Sequence, residues 1–359
     1  MILKMLQQLK WLLLPLGLLH LFVIWLRNSL YNYNILKTRR LPVPVISVGN
    51  VQMGGTGKTP FVLKLLELLQ QKHVRVAVLT RGYKRKSTGN QILTFERLQT
   101  FQRLSDIGDE PALILQNLRT GELGVGVDRY AVGRKILAQY PVEVFLLDDG
   151  FQHRKLHRDL DICLIDVSRW FSHPFLFPFS YLRDSKSSLR RADIIVLTKF
   201  EKIPQKAENL KSQFEKQYRA PVLKGKYVLQ SLMRLSDGQA VEPEKITVQK
   251  VAALCGIANP VNFFDLLKKH EFEVVYKKNF PDHYDYRLKD IEEFTQRAAA
   301  AGAKWLIVTE KDAVKLKNIL SSQANFGRNI LVLSVSFHIE EENKLIQAIN
   351  DIIAKINLK

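Results

Sequence analysis

The sequence predicts an α/β fold: a parallel sheet covered by helices on both faces, then a second, smaller α/β unit, with an apolar, membrane-associated helix in front of both. Three observations predict it. Short apolar runs of strand length alternate with helical patterns from residue 43 onward. A glycine-rich turn, GNVQMGGTGKTP at 49–60, joins a strand-like run to a helix-like one. An apolar stretch with basic flanks and no acidic residue opens the chain.

The elements follow in order. VPVISVGN (43–50) reads as a buried strand, PFVLKLLELLQQKH (60–73) as a helix with apolar residues three and four apart, and VRVAVLT (74–80) as the next strand. EVFLLDD (143–149), DICLID (161–166) and IIVLT (194–198) are three more strand-length runs. Strands that alternate with helices build a parallel sheet. Residues 220–249 look like extended segments with turns, including SDGQ at 236–239. KVAALCGI (250–257), helical NFFDLLKKH, FEVVYKKNF (272–280) and KWLIVTEKD (304–312) then restart the alternation. The expected units are an anchor at 1–40, a phosphate-loop domain at 41–219, an extended linker at 220–249 and a C-terminal α/β unit at 250–359.

The chain has 359 residues, 46% hydrophobic and 25% charged, enough for two cores. A net charge of +19 favours an anionic partner: nucleic acid, an anionic membrane surface or a phosphorylated substrate. The two cysteines, Cys163 and Cys255, sit in apolar strand-like runs with no metal-ligand spacing around them. They read as small buried hydrophobes. From Trp11 to Leu26 the chain is apolar, and as a helix this run covers roughly 24 Å. A bilayer core needs about 30 Å, so the run is short for a spanning helix. A core helix and a signal peptide are alternatives, but no small-residue cleavage site follows. Basic flanks with Trp11 and Trp25 favour an interfacial anchor.

The turn at 49–60 has the context that a phosphate-binding loop needs. Glycines let backbone N–H groups turn toward phosphate oxygens, and the helix start adds its positive end. Gln52, Met53, Gly54, Gly55, Thr56, Gly57, Lys58 and Thr59 are the expected cradle for ATP. Lys58 reaches the β- and γ-phosphates, and the Thr59 hydroxyl meets Mg²⁺. The usual first glycine is Gln52 here. Met53 stands where partition-type ATPases carry a lysine, which argues against that class.

In LLDDGFQHRKLHRDLDICLID, Asp148 and Asp149 follow an apolar run, as metal-holding acids do. The plainer reading is a pair of loop acids neutralised by His153, Arg154, His157 and Arg158. In GDEP (108–111), Asp109 is either a first-turn acid or a general base for a hydroxyl nucleophile. His283 lies between Asp282 and Asp285, where a lone histidine is more often a surface residue. RGYKRKSTG (81–89) and, more weakly, Arg129 in VDRYAVG form solvated basic faces or anion sites. The aromatic stretch 170–185 is a buried loop or a lipid-facing wall.

VISVGN…GGTGKTP, RGY, GDEP, DDGFQHR–L–RDLDI, LRD at 182–184, PDH–Y and VTEKDAVK (308–315) occur in that order. Over roughly residues 10 to 320 the chain resembles the tetraacyldisaccharide 4'-kinases, and DDGFQHR with TEKDAVK is a specific pair. The resemblance implies two Rossmann-like domains joined by a short β-linker, with ATP in the cleft. It implies transfer of the γ-phosphate of ATP to the 4'-hydroxyl of a tetraacylated glucosamine disaccharide 1-phosphate, at the cytoplasmic face of the bacterial inner membrane. By the same resemblance Asp109 is the base and His283 its partner. Asp148 and Asp149 organise Mg²⁺ and nucleotide with Gln152 close by, and Arg183 lies near the phosphates. Asp184 stands where the family carries a metal-facing glutamate, Ser180 where it carries a glycine, and Lys84 replaces the second glycine of RGYGR. The implied partners are the glycolipid and an anionic membrane surface, with no nucleic acid, and the chain is expected to be a monomer. The rivals are a membrane-associated regulatory ATPase or GTPase without a lipid acceptor, and a nucleic-acid-binding NTPase. The absence of an RNA-binding or helix-turn-helix signature weighs against the latter.

Overall fold

The computed structural model describes residues 14–82, 89–98, 108–118, 120–170, 176–177, 179–257, 259–282, 284–320 and 329–357. Its strands are β1 (Val45–Asn50), β2 (Val76–Thr80), β3 (Gln91–Thr94), β4 (Glu122–Val125), β5 (Val144–Asp148), β6 (Leu160–Asp166), β7 (Ile194–Thr198), β8 (Val222–Arg234), β9 (Ala240–Val241), β10 (Lys250–Cys255), β11 (Glu273–Asn279), β12 (Trp305–Thr309) and β13 (Ile330–Ile339). The α-helices are α1 (Leu14–Asn32), α2 (Lys58–Gln71), α3 (Phe95–Leu98), α4 (Asp109–Asn117), α5 (Arg129–Leu137), α6 (Pro204–Gln217), α7 (Pro243–Thr247), α8 (Pro260–Lys269), α9 (Leu288–Ala300), α10 (Glu310–Leu320) and α11 (Glu342–Asn357).

The strands join into one sheet in the order β11-β10-β12-β13-β8-β7-β6-β1-β5-β2-β4-β3, with β9 beside β8. Pairing is parallel except at β3–β4, β8–β13 and β8–β9. The apolar runs read from the sequence are the central strands. They are buried on both faces, which is why they carry continuous rather than alternating apolar residues. Ile46 and Val48 of β1 point to the face covered by α2 and α4. Val45 of β1 and Leu79 of β2 point to the face covered by α5, while Cys163 and Ile165 of β6 meet α6 and Ile24 of α1. Both cysteines are buried, and burial pushes their thiols up, Cys255 to about 12.

Three features exceed the sequence reading. The extended stretch 220–249 is chiefly one 13-residue strand, β8, which pairs with β7 at Ile195↔Val222 to Thr198↔Gly225 and with β13 at Leu331↔Arg234 to Ile339↔Gly225. The sheet of the first half therefore continues through β8 into that of the second. The last helix, α11, returns to the first half: Leu345, Ile349 and Ile352 enter the same cluster as Val62 and Leu65 of α2. The TEKDAVK helix α10 likewise meets α4, since Val314 packs in the cluster that holds Ala112 and Leu115.

Among the described residues, no helix is long and apolar enough to cross a membrane. Helix α1 instead leaves Leu18, Leu19, Phe22, Val23 and Trp25 half or more exposed while burying Ile24, Asn28 and Tyr31.

Candidate active site

Strand β1, the glycine turn and α2 form the expected phosphate-loop geometry. Gly54 has φ 91° and Gly57 φ 102°, a backbone region that side chains disfavour. Gly57 is also the N-cap of α2, so no side chain satisfies that helix's first-turn N–H groups. An uncapped helix start behind curled glycines is a ready anion site. The loop is braced from below. Asn50 Nδ2 donates to Thr56 Oγ1 at 2.6 Å, and Thr198 Oγ1 donates to the Thr56 carbonyl at 3.0 Å. Lys199 Nζ donates to the Gly55 carbonyl and to Asp166 Oδ2, the latter at 2.8 Å.

Gln52 shows why the usual first glycine is dispensable. Its side chain is fully buried and pairs with the main chain of Asp166, donating to the carbonyl at 3.0 Å and accepting from the N–H at 2.7 Å. Its φ is not positive, so glycine has no advantage there. The Met53 N–H donates to the Tyr181 carbonyl at 2.6 Å. These two residues thus anchor the loop.

The Met53 contact also explains how Arg183 arrives. Residues 51–53 and 181–183 run antiparallel through the Gln52↔Leu182 bridge, with Arg183 N–H on the Val51 carbonyl at 2.8 Å. The Arg183 guanidinium then forks onto Asp149, with Nη1 to Oδ2 at 3.2 Å and Nη2 to Oδ1. Lys58 Nζ lies 3.6 Å from Asp149 Oδ1. Burial alone raises the Asp149 carboxyl, but Lys58 and Arg183 outweigh it and hold it well below the usual carboxylate range. Its neighbour behaves oppositely. Asp148 is 3% exposed and accepts from Thr80 Oγ1 at 3.1 Å. Burial, reinforced by Glu110 and Asp149, pushes its carboxyl up to about 7. The adjacent acids thus shift in opposite directions: the two cations favour the ionised form of Asp149, whereas burial favours a proton on Asp148.

Arg129 is no solvated basic residue. It is 6% exposed, donates to the Val127 carbonyl at 3.1 Å and lies 3.4 Å from His153 Nδ1. Burial lowers its pKa, while Asp149 and Asp148 act to raise it. Burial, then Arg129, lowers the His153 imidazole to about 4, so it is neutral.

Asp184, the residue expected to face a metal, is enclosed by donors. It is fully buried and accepts from Asn28 Nδ2 at 3.0 Å, Ser188 Oγ at 2.7 Å, Ser185 N–H at 2.8 Å and Gln152 Nε2 at 3.3 Å. With Arg191 at 3.6 Å as well, its oxygens are committed to tying α1 to the 180s segment. Gln152 meanwhile donates to the Asn50 carbonyl at 2.8 Å, behind the loop. No group of three acid, histidine or cysteine side chains able to hold a metal occurs among the described residues. Mg²⁺ commonly binds through one or two carboxylates plus substrate phosphates, so the hard oxygens of Asp148, Asp149 and Thr59 remain a fitting set.

Asp109 opens α4 behind Gly108, whose φ is 93°. Its side chain lies outside the described residues, as do His283 and residues 83–88 of the basic run after β2. The neighbours of His283 are firmly held by the TEKDAVK helix. Lys311 Nζ meets Asp282 Oδ1 at 3.0 Å, Lys315 Nζ donates to the Tyr284 carbonyl at 2.9 Å, and Tyr286 Oη donates to buried Asp312 at 2.8 Å. Among the described residues of the aromatic stretch, Trp170, Leu176 and Leu182 are buried while Phe177 and Tyr181 are exposed.

The family model for tetraacyldisaccharide-1-P 4'-kinase matches residues 9–354. The chain belongs to that family. The tetraacyldisaccharide 4'-kinase of Aquifex aeolicus is 37% identical to this kinase-family chain over 334 residues, covering 93% of the chain and 96% of the relative. That of Pelobacter propionicus is 34% identical over 344 residues, covering 96% and 92%. A crystal structure of LpxK from Aquifex aeolicus in complex with ATP superposes with a TM-score of 0.76 at 36% identity, covering 96% of this chain and 99% of that one. Membership accounts for the order of motifs, from GGTGKTP to TEKDAVK. Sequence reasoning gave no role to Thr198 or Lys199 and did not place Arg129 in the interior beside His153. The TK that ends IIVLT was a visible signal for the loop braces. Glu110 reads in the sequence only as a first-turn acid, and nothing local marked its charge as one that raises the Asp148 carboxyl.

Proposed function

We propose that this family member transfers the γ-phosphate of ATP to the 4'-hydroxyl of a tetraacylated glucosamine disaccharide 1-phosphate, a late step of lipid A synthesis. The observation that carries the reading is the convergence of an uncapped, glycine-led helix start with Lys58, Arg183 and two acids whose pKa values shift in opposite directions.

The chemistry follows from positioning and charge. Gly54–Thr59 and the start of α2 bind the phosphates, and Lys58 neutralises charge on the transferring group. Arg183 holds Asp149 in place and adds a second cation beside the phosphates. Thr59, Asp148 and Asp149 are the ligands we assign to Mg²⁺, which supplies Lewis-acid neutralisation of phosphate oxygens when bound. Asp109 takes the proton of the sugar hydroxyl, and His283 orients it. The packing of α4 on α10, which holds Asp282, Tyr284 and Tyr286, supports this pairing. The exposed face of α1 sits in the interface of the inner membrane, and the basic surface favours anionic lipid.

Asp109→Ala tests the base. Turnover with ATP and glycolipid falls by about 10²-fold or more, while ATP affinity holds. Undiminished turnover in that variant removes Asp109 from the chemistry.

A further inference from the structure

Helix α6 carries one face unlike the rest of it. Lys206, Asn209, Leu210, Gln213, Phe214 and Gln217 recur three and four residues apart and line a cavity of about 550 Å³. Trp170, Lys186 and Tyr218 complete the lining. The rings form one wall, with Phe214 edge-on to Trp170 at 5.1 Å and to Tyr218 at 5.3 Å between centroids. Two ammonium groups converge on Trp170. Lys206 Nζ donates to its carbonyl at 2.8 Å, and Lys186 Nζ stands 5.0 Å from the centre of its ring. Among the described lining residues none is acidic. The acids of α6 lie off this face, Glu208 on Lys224 at 2.6 Å and Glu215 near Lys211 at 4.0 Å. Burial lowers the pKa of the Lys186 ammonium, a cost that an anion beside it offsets.

Charge and shape select the ligand. A cavity of this size takes a small molecule or a headgroup. Two lysines suit a phosphate, and three side-chain amides offer both donors and acceptors to hydroxyl groups. The position in the fold selects the source. Trp170, Leu210, Phe214 and Tyr218 belong to the core cluster that also takes Ile24 of α1. Asp184, two residues before Lys186, accepts from Asn28 of α1. The cavity therefore shares a sheet face with α1, the helix whose outer residues are apolar and exposed.

We propose that this cavity seats the headgroup of an anionic glycerophospholipid: Lys186 and Lys206 hold its phosphodiester, and Asn209, Gln213 and Gln217 take the hydroxyls of a polyol such as glycerol. This rests on the reading that α1 lies in a lipid interface. It adds a contact that reads headgroup chemistry to one that reads only apolarity and charge.

The test is sedimentation of the full chain with vesicles of phosphatidylcholine mixed with either phosphatidylglycerol or phosphatidylmethanol. Both anionic lipids carry one charge on a phosphodiester, and only the first has headgroup hydroxyls. The wild type binds the phosphatidylglycerol vesicles about fivefold more tightly, the value of one or two hydrogen bonds. Asn209→Leu with Gln213→Leu erases that preference without changing charge. Lys186→Gln with Lys206→Gln lowers binding to both anionic vesicles by about tenfold or more. Lys268→Gln with Lys269→Gln, two exposed lysines of α8, leaves the preference intact. All three double variants keep the wild-type melting temperature and ATP affinity. Equal binding of the wild type to the two vesicles, or a preference that survives the amide variant, overturns the headgroup site and leaves the docking of α1 on lipid standing. Loss of the preference in inorganic phosphate at matched ionic strength assigns the cavity to free phosphate and overturns it as well. A wild type that sediments with neither anionic vesicle overturns the docking reading and the inference together.

Discussion

Asp148 and Asp149 are neighbours in sequence with opposite titration behaviour, and the cause lies in what each touches. Asp149 faces Lys58 and Arg183, whereas Asp148 is buried with one hydroxyl donor, Thr80. The unfolded Asp148 carboxyl releases its proton near 3.8, the folded one at about 7. Between those values the folded chain holds more protons, so this group makes the protein less stable as pH rises through the window. Asp148→Asn removes that contribution. Its melting temperature, relative to wild type, therefore climbs between about pH 4 and pH 7 and levels off above; a difference independent of pH contradicts the burial argument. The two acids were legible in the sequence because they end an apolar run. Their division of labour was not, because Arg183 reaches Asp149 only through the antiparallel contact of residues 51–53 with 181–183. Gln52 is the converse case: the missing glycine looked like a defect and is a buried brace.

At the scale of elements, the phosphate loop depends on glycine for two separate reasons. Gly57 has φ 102° and also lies under the Tyr227 hydroxyl. Gly57→Ala combines backbone strain of about 1–3 kcal/mol with a collision at the start of α2. Both thermal stability and ATP affinity fall, readable by melting and by calorimetry; a variant matching wild type in both shows that the loop adopts another backbone. The strand–turn–helix unit around this glycine was legible from period and composition, since β1 and α2 are long apolar patterns with a clear punctuation between them. The joint between the halves was not. Strand β8 has mixed burial and a polar stretch, KGKY, so its pattern said only that it was extended. Its role as the shared strand comes from pairing with β7 and β13, which no local signal carries. The TEKDAVK box marked the family in sequence, and its side chains have a structural role in the fold. Lys311, Asp312 and Lys315 hold the segment on either side of position 283.

Across the whole molecule, α1 presents an exposed apolar face on a chain of net charge +19, the pairing on which the proposed lipid docking rests. Leu19 and Trp25 are 58% and 59% exposed, far more than a core helix permits. The sequence showed the apolar stretch and its basic flanks. Which residues face outward depends on the packing of Ile24, Asn28 and Tyr31 against the body. Phe22→Ser with Trp25→Ser lowers sedimentation with vesicles of anionic phospholipid, and added salt lowers it further in both proteins. ATP affinity stays at the wild-type value, because α1 meets the site through Asn28 and Asp184 rather than through these two side chains. Equal sedimentation of the double variant and wild type contradicts the docking of this face on lipid. The most direct measurement of the central claim follows label from γ-³²P-ATP in the purified enzyme, with the tetraacyldisaccharide 1-phosphate present or absent. The account predicts that label moves to the glycolipid and that ATP consumption is slow without it. ATP hydrolysed at the same rate in both arms, with no labelled lipid, contradicts it.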